Sequence, residues 1–138
     1  ENQSAAQKSE GAAWKHDVAV PVSRIAEFIA TAGAALEARW PGVRIDAFGH
    51  VGDGNIHYDI LPAAGGDAAT HNARRDAAAH VVHDIVMALE GSISAEHGLG
   101  TMKTAEALGY KSAVDVEAQR AIRAALDPRR IMNPRVLF

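Results

Sequence analysis

The stretch "GHVGDGNIHYDI", Gly49 to Ile60, restricts the fold more than any other part of the chain. Asp-Gly is among the strongest two-residue hairpin turns, because both central positions of a type I′ turn need positive φ. Asp53-Gly54 stands between two alternating segments, "VRIDAFGH" and "NIHYDIL". A two-residue turn there pairs Gly52 with Asn55, Val51 with Ile56 and His50 with His57. Directly opposed residues have Cβ atoms about 4.5–5.5 Å apart. Two imidazoles so placed can reach one metal ion at roughly 2.0–2.1 Å each. Phe48 and Asp59 flank the same face, where Asp59 can serve as a ligand or as acceptor for an imidazole N–H. Two solvated, functionless histidines on the polar face of a hairpin would show the same spacing.

Around this hairpin the periodicity alternates between strand and helix. "HDVAVPV" places Val18, Val20 and Val22 on one side, a strand that Pro21 keeps near an edge. Ser23 occupies an N-cap position, and Ile25, Phe28, Ile29, Ala32 and Leu36 recur at helical spacing, so a helix is expected from about Arg24 to Arg39. A second helix is expected from about Ala69 to Leu89, with Val81, Val82, Ile85, Val86 and Leu89 buried and Gly91 as its stop. "SISAE" reads as a short strand and "HGLG" as a tight turn. A third helix from about 112 to 126 would pack through Val114, Ala118, Ala121, Ile122 and Ala125. The closing "LDPRRIMNPRVLF" lacks a period and is expected to pack as extended chain, and residues 1–13 read as a flexible tail or linker. The expected class is α+β, an antiparallel sheet with helices on one face.

A carboxylate is available to complete the histidine pair. In "SAEHGLG", Glu96 and His97 end the short strand and precede a turn with two glycines. Glu96 would make a set of two histidines and one carboxylate, leaving coordination positions open for substrate or water. His97 would then be a candidate base, although by itself it reads first as a helix-capping or core histidine. His80 and His83 read as surface residues of the second helix, His16 and His71 as isolated, and Lys15 as a solvated charge.

Composition narrows the chemistry further. The 138 residues are 48% hydrophobic and 22% charged, within the range of globular domains. A formal charge of −3 offers no basic field for nucleic acid. Cysteine is absent, so a metal must be held by nitrogen and oxygen. No apolar run approaches the roughly 20 residues of a membrane span. A cytoplasmic location is expected, at most peripheral to the inner membrane.

Three motifs in order, "GHVGDGNIHYDI", "GSISAEHGLG" and "ALDPRRIMNP", resemble the C-terminal domain of FAD-linked oxidases and dehydrogenases, the group with D-lactate dehydrogenase, the glycolate oxidase flavin subunit and D-2-hydroxyglutarate dehydrogenase. The resemblance runs from about Trp14 to Phe138. It implies part of a ferredoxin-like cap domain, with FAD bound mainly by an N-terminal domain absent here, and hence a fragment silent in catalysis by itself. By motif position, His50, His57 and Glu96 match ligands of a divalent metal, usually zinc, and His97 matches a general base. Lys15 matches a lysine on the substrate carboxylate, Asp59 stands where metal-containing members commonly have Asn, and Asn133 matches a flavin-side position whose motif departs at Arg135.

The implied reaction oxidises a small D-2-hydroxy acid to a 2-oxo acid with hydride transfer to FAD. The partners implied are that substrate, the FAD-binding domain of the parent and an electron acceptor that the residues do not specify. Two other readings stand beside it: a non-catalytic metal-binding or oligomerisation module, dimeric through its sheet edge, and a zinc hydrolase with Glu96 or His97 as base.

Overall fold

A computed structural model describes residues 13–136. The tail or linker expected at 1–13 lies outside the described residues except for Ala13. The chain forms two compact units, Glu1–Glu96 and His97–Phe138.

In the first unit, β1 (Trp14–Ala19), β2 (Arg44–His50) and β3 (Asn55–Leu61) make an antiparallel sheet of order β1-β3-β2. The class is α+β, as the mixed periodicities require. Alternation along β3 sends Ile56, Tyr58 and Ile60 to one side and Asn55, His57 and Asp59 to the other. The apolar side packs on helices. α1 (Ile25–Arg39) buries Ile25, Phe28, Ala32 and Leu36, the stripe expected from its spacing. Ser23 does not cap it; Val22–Arg24 form a 3-10 turn leading into the helix, and Arg24 is instead paired with Glu27 at 2.6 Å.

The single helix expected from 69 to 89 is two helices, α2 (Ala68–Asn72) and α3 (Arg75–Ala88). Asp67 starts α2 by accepting the Thr70 N–H at 2.7 Å. An Arg74 N–H to His71 carbonyl bond of 3.0 Å tightens the chain between the two helices. The break sits beside His71, whose ring lies flat on Trp14 with centroids 3.6 Å apart. Tertiary packing here overrides a continuous helical period. Val18, Phe28, Leu36, Tyr58, Ile60, Val82 and Val86 form the fully buried centre of the core. Each such aliphatic or Phe side chain contributes about 1.5–3 kcal/mol through burial.

Gly91 ends the α3 connection against β1, where a Cβ would stand 2.3 Å from the Ala19 carbonyl oxygen. Ser92 and Ala19 then exchange backbone hydrogen bonds of 2.8 and 2.9 Å. That one bridge replaces the strand expected for "SISAE". Beyond it, Ser92 Oγ donates to the Ser94 carbonyl at 2.9 Å, the Asp17 carboxylate accepts the Ala95 and Glu96 amides, and the Asp17 carbonyl also accepts from Ala95.

The second unit holds α4 (Thr104–Tyr110), which the sequence reading missed, and α5 (Ala113–Leu126). Ser112 caps α5 by accepting the Asp115 N–H at 3.1 Å. The expected packing face of this helix is not buried. Val114 is 75% exposed and Ile122 60%, whereas Val116 is buried. The chain after α5 is also not extended. The Asp127 carboxylate accepts the Ile131 and Met132 amides at 3.0 and 2.9 Å, and the Arg123 guanidinium donates to the carbonyls of Met132, Asn133 and Val136. One acid and one base thus fold an aperiodic segment into turns.

Candidate metal and substrate site

The hairpin forms, with a longer connection than Asp-Gly alone predicts. Val51–Asp53 make a 3-10 turn and Gly54 follows at φ 82°, so four residues join β2 to β3. Asp53 Oδ1 accepts the Asn55 N–H at 3.2 Å. Gly54 is fixed from outside the hairpin: its carbonyl accepts the Val20 N–H at 3.1 Å, and a Cβ would lie 2.1 Å from the Val20 oxygen. The register is consequently His50 with Asn55 and His57 with Phe48, rather than His50 with His57. The displacement is two residues. A one-residue slip would have reversed every side chain, but a two-residue slip keeps both histidines on one face as diagonal neighbours.

Pairing with β1 extends that face across three strands. Lys15, Asp59 and Asp46 form one row, Asp17, His57 and Phe48 the next, and Ala19, Asn55 and His50 the third. Glu96 meets this surface. One of its oxygens lies 2.8 Å from His50 Nδ1 and the other 3.9 Å from His57 Nε2. Asn55 Nδ2 donates to the oxygen that faces His50. Glu96 therefore bonds to His50 and stands within 4 Å of His57.

Two imidazole nitrogens and a carboxylate are a donor set suited to a borderline divalent cation such as zinc. Asn55 Oδ1 adds a buried acceptor with no hydrogen-bond partner among the described residues. These donor types suit a cation, and the tighter cluster on the same face, with ligand atoms within 4.8 Å of one another, includes Asp17 and His57. His50 and Glu96 are well exposed, which leaves the set open on one side, whereas the His57 side chain is mostly covered.

Lys15 Nζ lies 3.8 Å from Asp59, a buried carboxylate that steadies an otherwise exposed ammonium on the same face. His97 follows Glu96 in sequence and begins the second unit. Asn133 sits in the turn after α5 at φ 44°, with its carbonyl accepting from Arg123 and Val136. That is a backbone role. Of the histidines set aside, His16, His71 and His83 are buried. His16 Nδ1 donates to the Tyr58 carbonyl at 3.0 Å and its ring stands edge to face with His83, so His83 is a core residue and not a surface one.

Two site residues escaped the sequence reading. Asn55 lies inside the quoted motif, but the assumed turn paired it with Gly52. Asp17 shares the strand alternation of Lys15, two residues apart, and that parity was the available signal.

The chain belongs to the family described as FAD linked oxidases, C-terminal domain, which it matches over residues 2–137. Among curated proteins it is similar to a D-2-hydroxyglutarate dehydrogenase of Xanthomonas citri pv. viticola, 34% identical over 125 residues that cover 91% of this chain and 26% of the relative. It is likewise similar to the D-2-hydroxyglutarate dehydrogenase, mitochondrial, of Arabidopsis thaliana, 34% identical over 90% of this chain and 21% of the relative. The D-lactate dehydrogenase [cytochrome], mitochondrial, of Kluyveromyces lactis is 33% identical over 91% of this chain and 20% of the relative. The chain thus spans about a quarter or less of the length of these relatives.

Proposed function

We propose that the chain is the substrate-side, C-terminal part of an FAD-dependent dehydrogenase of D-2-hydroxy acids, of the D-2-hydroxyglutarate or D-lactate type. The observation that carries this reading is the placement of Glu96 against both His50 and His57 on one polar sheet face, in a chain of the FAD-linked oxidase family. His50, His57 and Glu96 would hold a divalent cation, zinc by preference, which when bound supplies Lewis acidity toward the substrate's oxygens. FAD, carried by another domain of the parent, supplies the hydride acceptor.

The residues of this chain do the rest. Lys15, two residues along β1 from Asp17, binds the substrate carboxylate, and Asp59 beneath it keeps the ammonium on that face. His97 takes the hydroxyl proton as general base. The exposed apolar residues of α5, Val114, Ile122 and Leu126, support a surface for further polypeptide of the parent.

Dye-linked oxidation of D-2-hydroxyglutarate and D-lactate by the intact flavoprotein tests the reading. His97→Ala should lower kcat by roughly 100-fold or more while KM changes little. Absence of D-2-hydroxy acid oxidation in the wild type, or equal losses in kcat and affinity in the variant, would overturn it.

A further inference from the structure

The geometry points to Asp17 as the positioning residue that presents Glu96 to the two histidines. This inference rests on the metal reading above and goes beyond its ligand set. Asp17 is 4% exposed and lies in β1 directly opposite His57. Its carboxylate faces away from solvent toward the segment that carries Glu96. A single oxygen, Oδ2, accepts the N–H of Glu96 at 2.9 Å and that of Ala95 at 3.2 Å, and the Asp17 main-chain carbonyl also accepts from Ala95 at 3.2 Å.

These bonds matter because the segment after the Ser92 bridge, residues 93–97, carries no strand or helix of its own. A carboxylate ligand on such a segment must be fixed by something other than a ladder. Charge-assisted bonds from backbone N–H groups to a buried carboxylate are the strong kind. They set the Cα of Glu96, and from there the side chain reaches His50 and His57. Asp17 Oδ1 lies 3.7 Å from His57 Nδ1, close enough for both to face one cation, while Oδ2 anchors the segment that carries Glu96. A neutral amide oxygen at position 17 could still accept both N–H groups.

Zn2+ titration of the full chain tests this, read by calorimetry and, with Co2+ in place of zinc, by the visible absorption of the bound ion. Asp17→Ala should weaken Zn2+ binding by roughly 10–100-fold and alter the Co2+ spectrum. Asp17→Asn should recover most of the affinity, since its Oδ1 replaces the one oxygen that does the anchoring. Binding in Asp17→Ala within threefold of wild type would overturn the inference, as would an Asn variant as weak as the Ala variant. Amide hydrogen exchange separates this from the metal reading. Should the wild type bind no Zn2+, the metal reading fails, and exchange then decides the role of Asp17: lost protection at Ala95 and Glu96 in Asp17→Ala supports it, unchanged protection overturns it. Where the Ala variant does not fold, the Asn variant carries the same comparison.

Discussion

His71 shows how one side chain here serves packing rather than chemistry. Its ring stacks on Trp14 within 5° of parallel, and its Nε2 donates to the Ile60 carbonyl at 3.2 Å. Burial holds its pKa below the usual histidine range, the Ile60 carbonyl works against that shift, and the nearby Arg74 charge adds to it. The sign of the consequence is set. The unfolded chain binds the proton more readily, so this residue's contribution to stability is complete above the unfolded value of about 6.5 and is lost as pH falls below it. Denaturant titrations between pH 7 and pH 5 should show a steeper loss for wild type than for His71→Gln; parallel losses would contradict this account. Nothing in the sequence marked His71 as buried, because a lone histidine at a helix start carries no period of its own. The shared face of His50 and His57 was legible for the opposite reason. His50 and His57 are tied to one face by strand parity, and parity survived the error in register.

At the scale of elements, the fold was readable wherever one local period ran unopposed. The stripe of α1 and the two faces of β3 are cases in point, since each depends on spacing within a single segment. The misreadings occur where distant groups decide the local geometry. The β2–β3 connection is four residues long because Gly54 packs against Val20, far away in sequence. "SISAE" is no strand because Asp17 substitutes for a ladder partner, and the helix after Asp67 is broken where His71 meets Trp14. The aperiodic tail folds because Arg123 and Asp127 supply the bonds that periodicity would otherwise provide. The glycines allow a direct check. Gly54→Ala adds a Cβ against backbone at positive φ and should cost more than the roughly 1–3 kcal/mol of left-handed strain alone. Gly65→Ala, also at positive φ but with nothing within 4 Å, should cost only that strain. Equal shifts in unfolding free energy for the two variants would show that the Gly54–Val20 approach does not fix the hairpin.

For the whole molecule, what matters is a polar sheet face assembled from three strands and closed by a carboxylate from an irregular segment. Its other side is covered by helices, and its open side carries the proposed site. Among the described residues no helix is long and apolar enough to cross a membrane. The central claim is that His50, His57 and Glu96 hold one divalent cation. X-ray data collected above the zinc absorption edge from crystals of the chain grown with Zn2+ test it most directly. The account predicts a single strong anomalous peak bounded by His50, His57 and Glu96, absent in His57→Ala crystals. Full zinc binding with the peak elsewhere, or no peak at these residues, would contradict it.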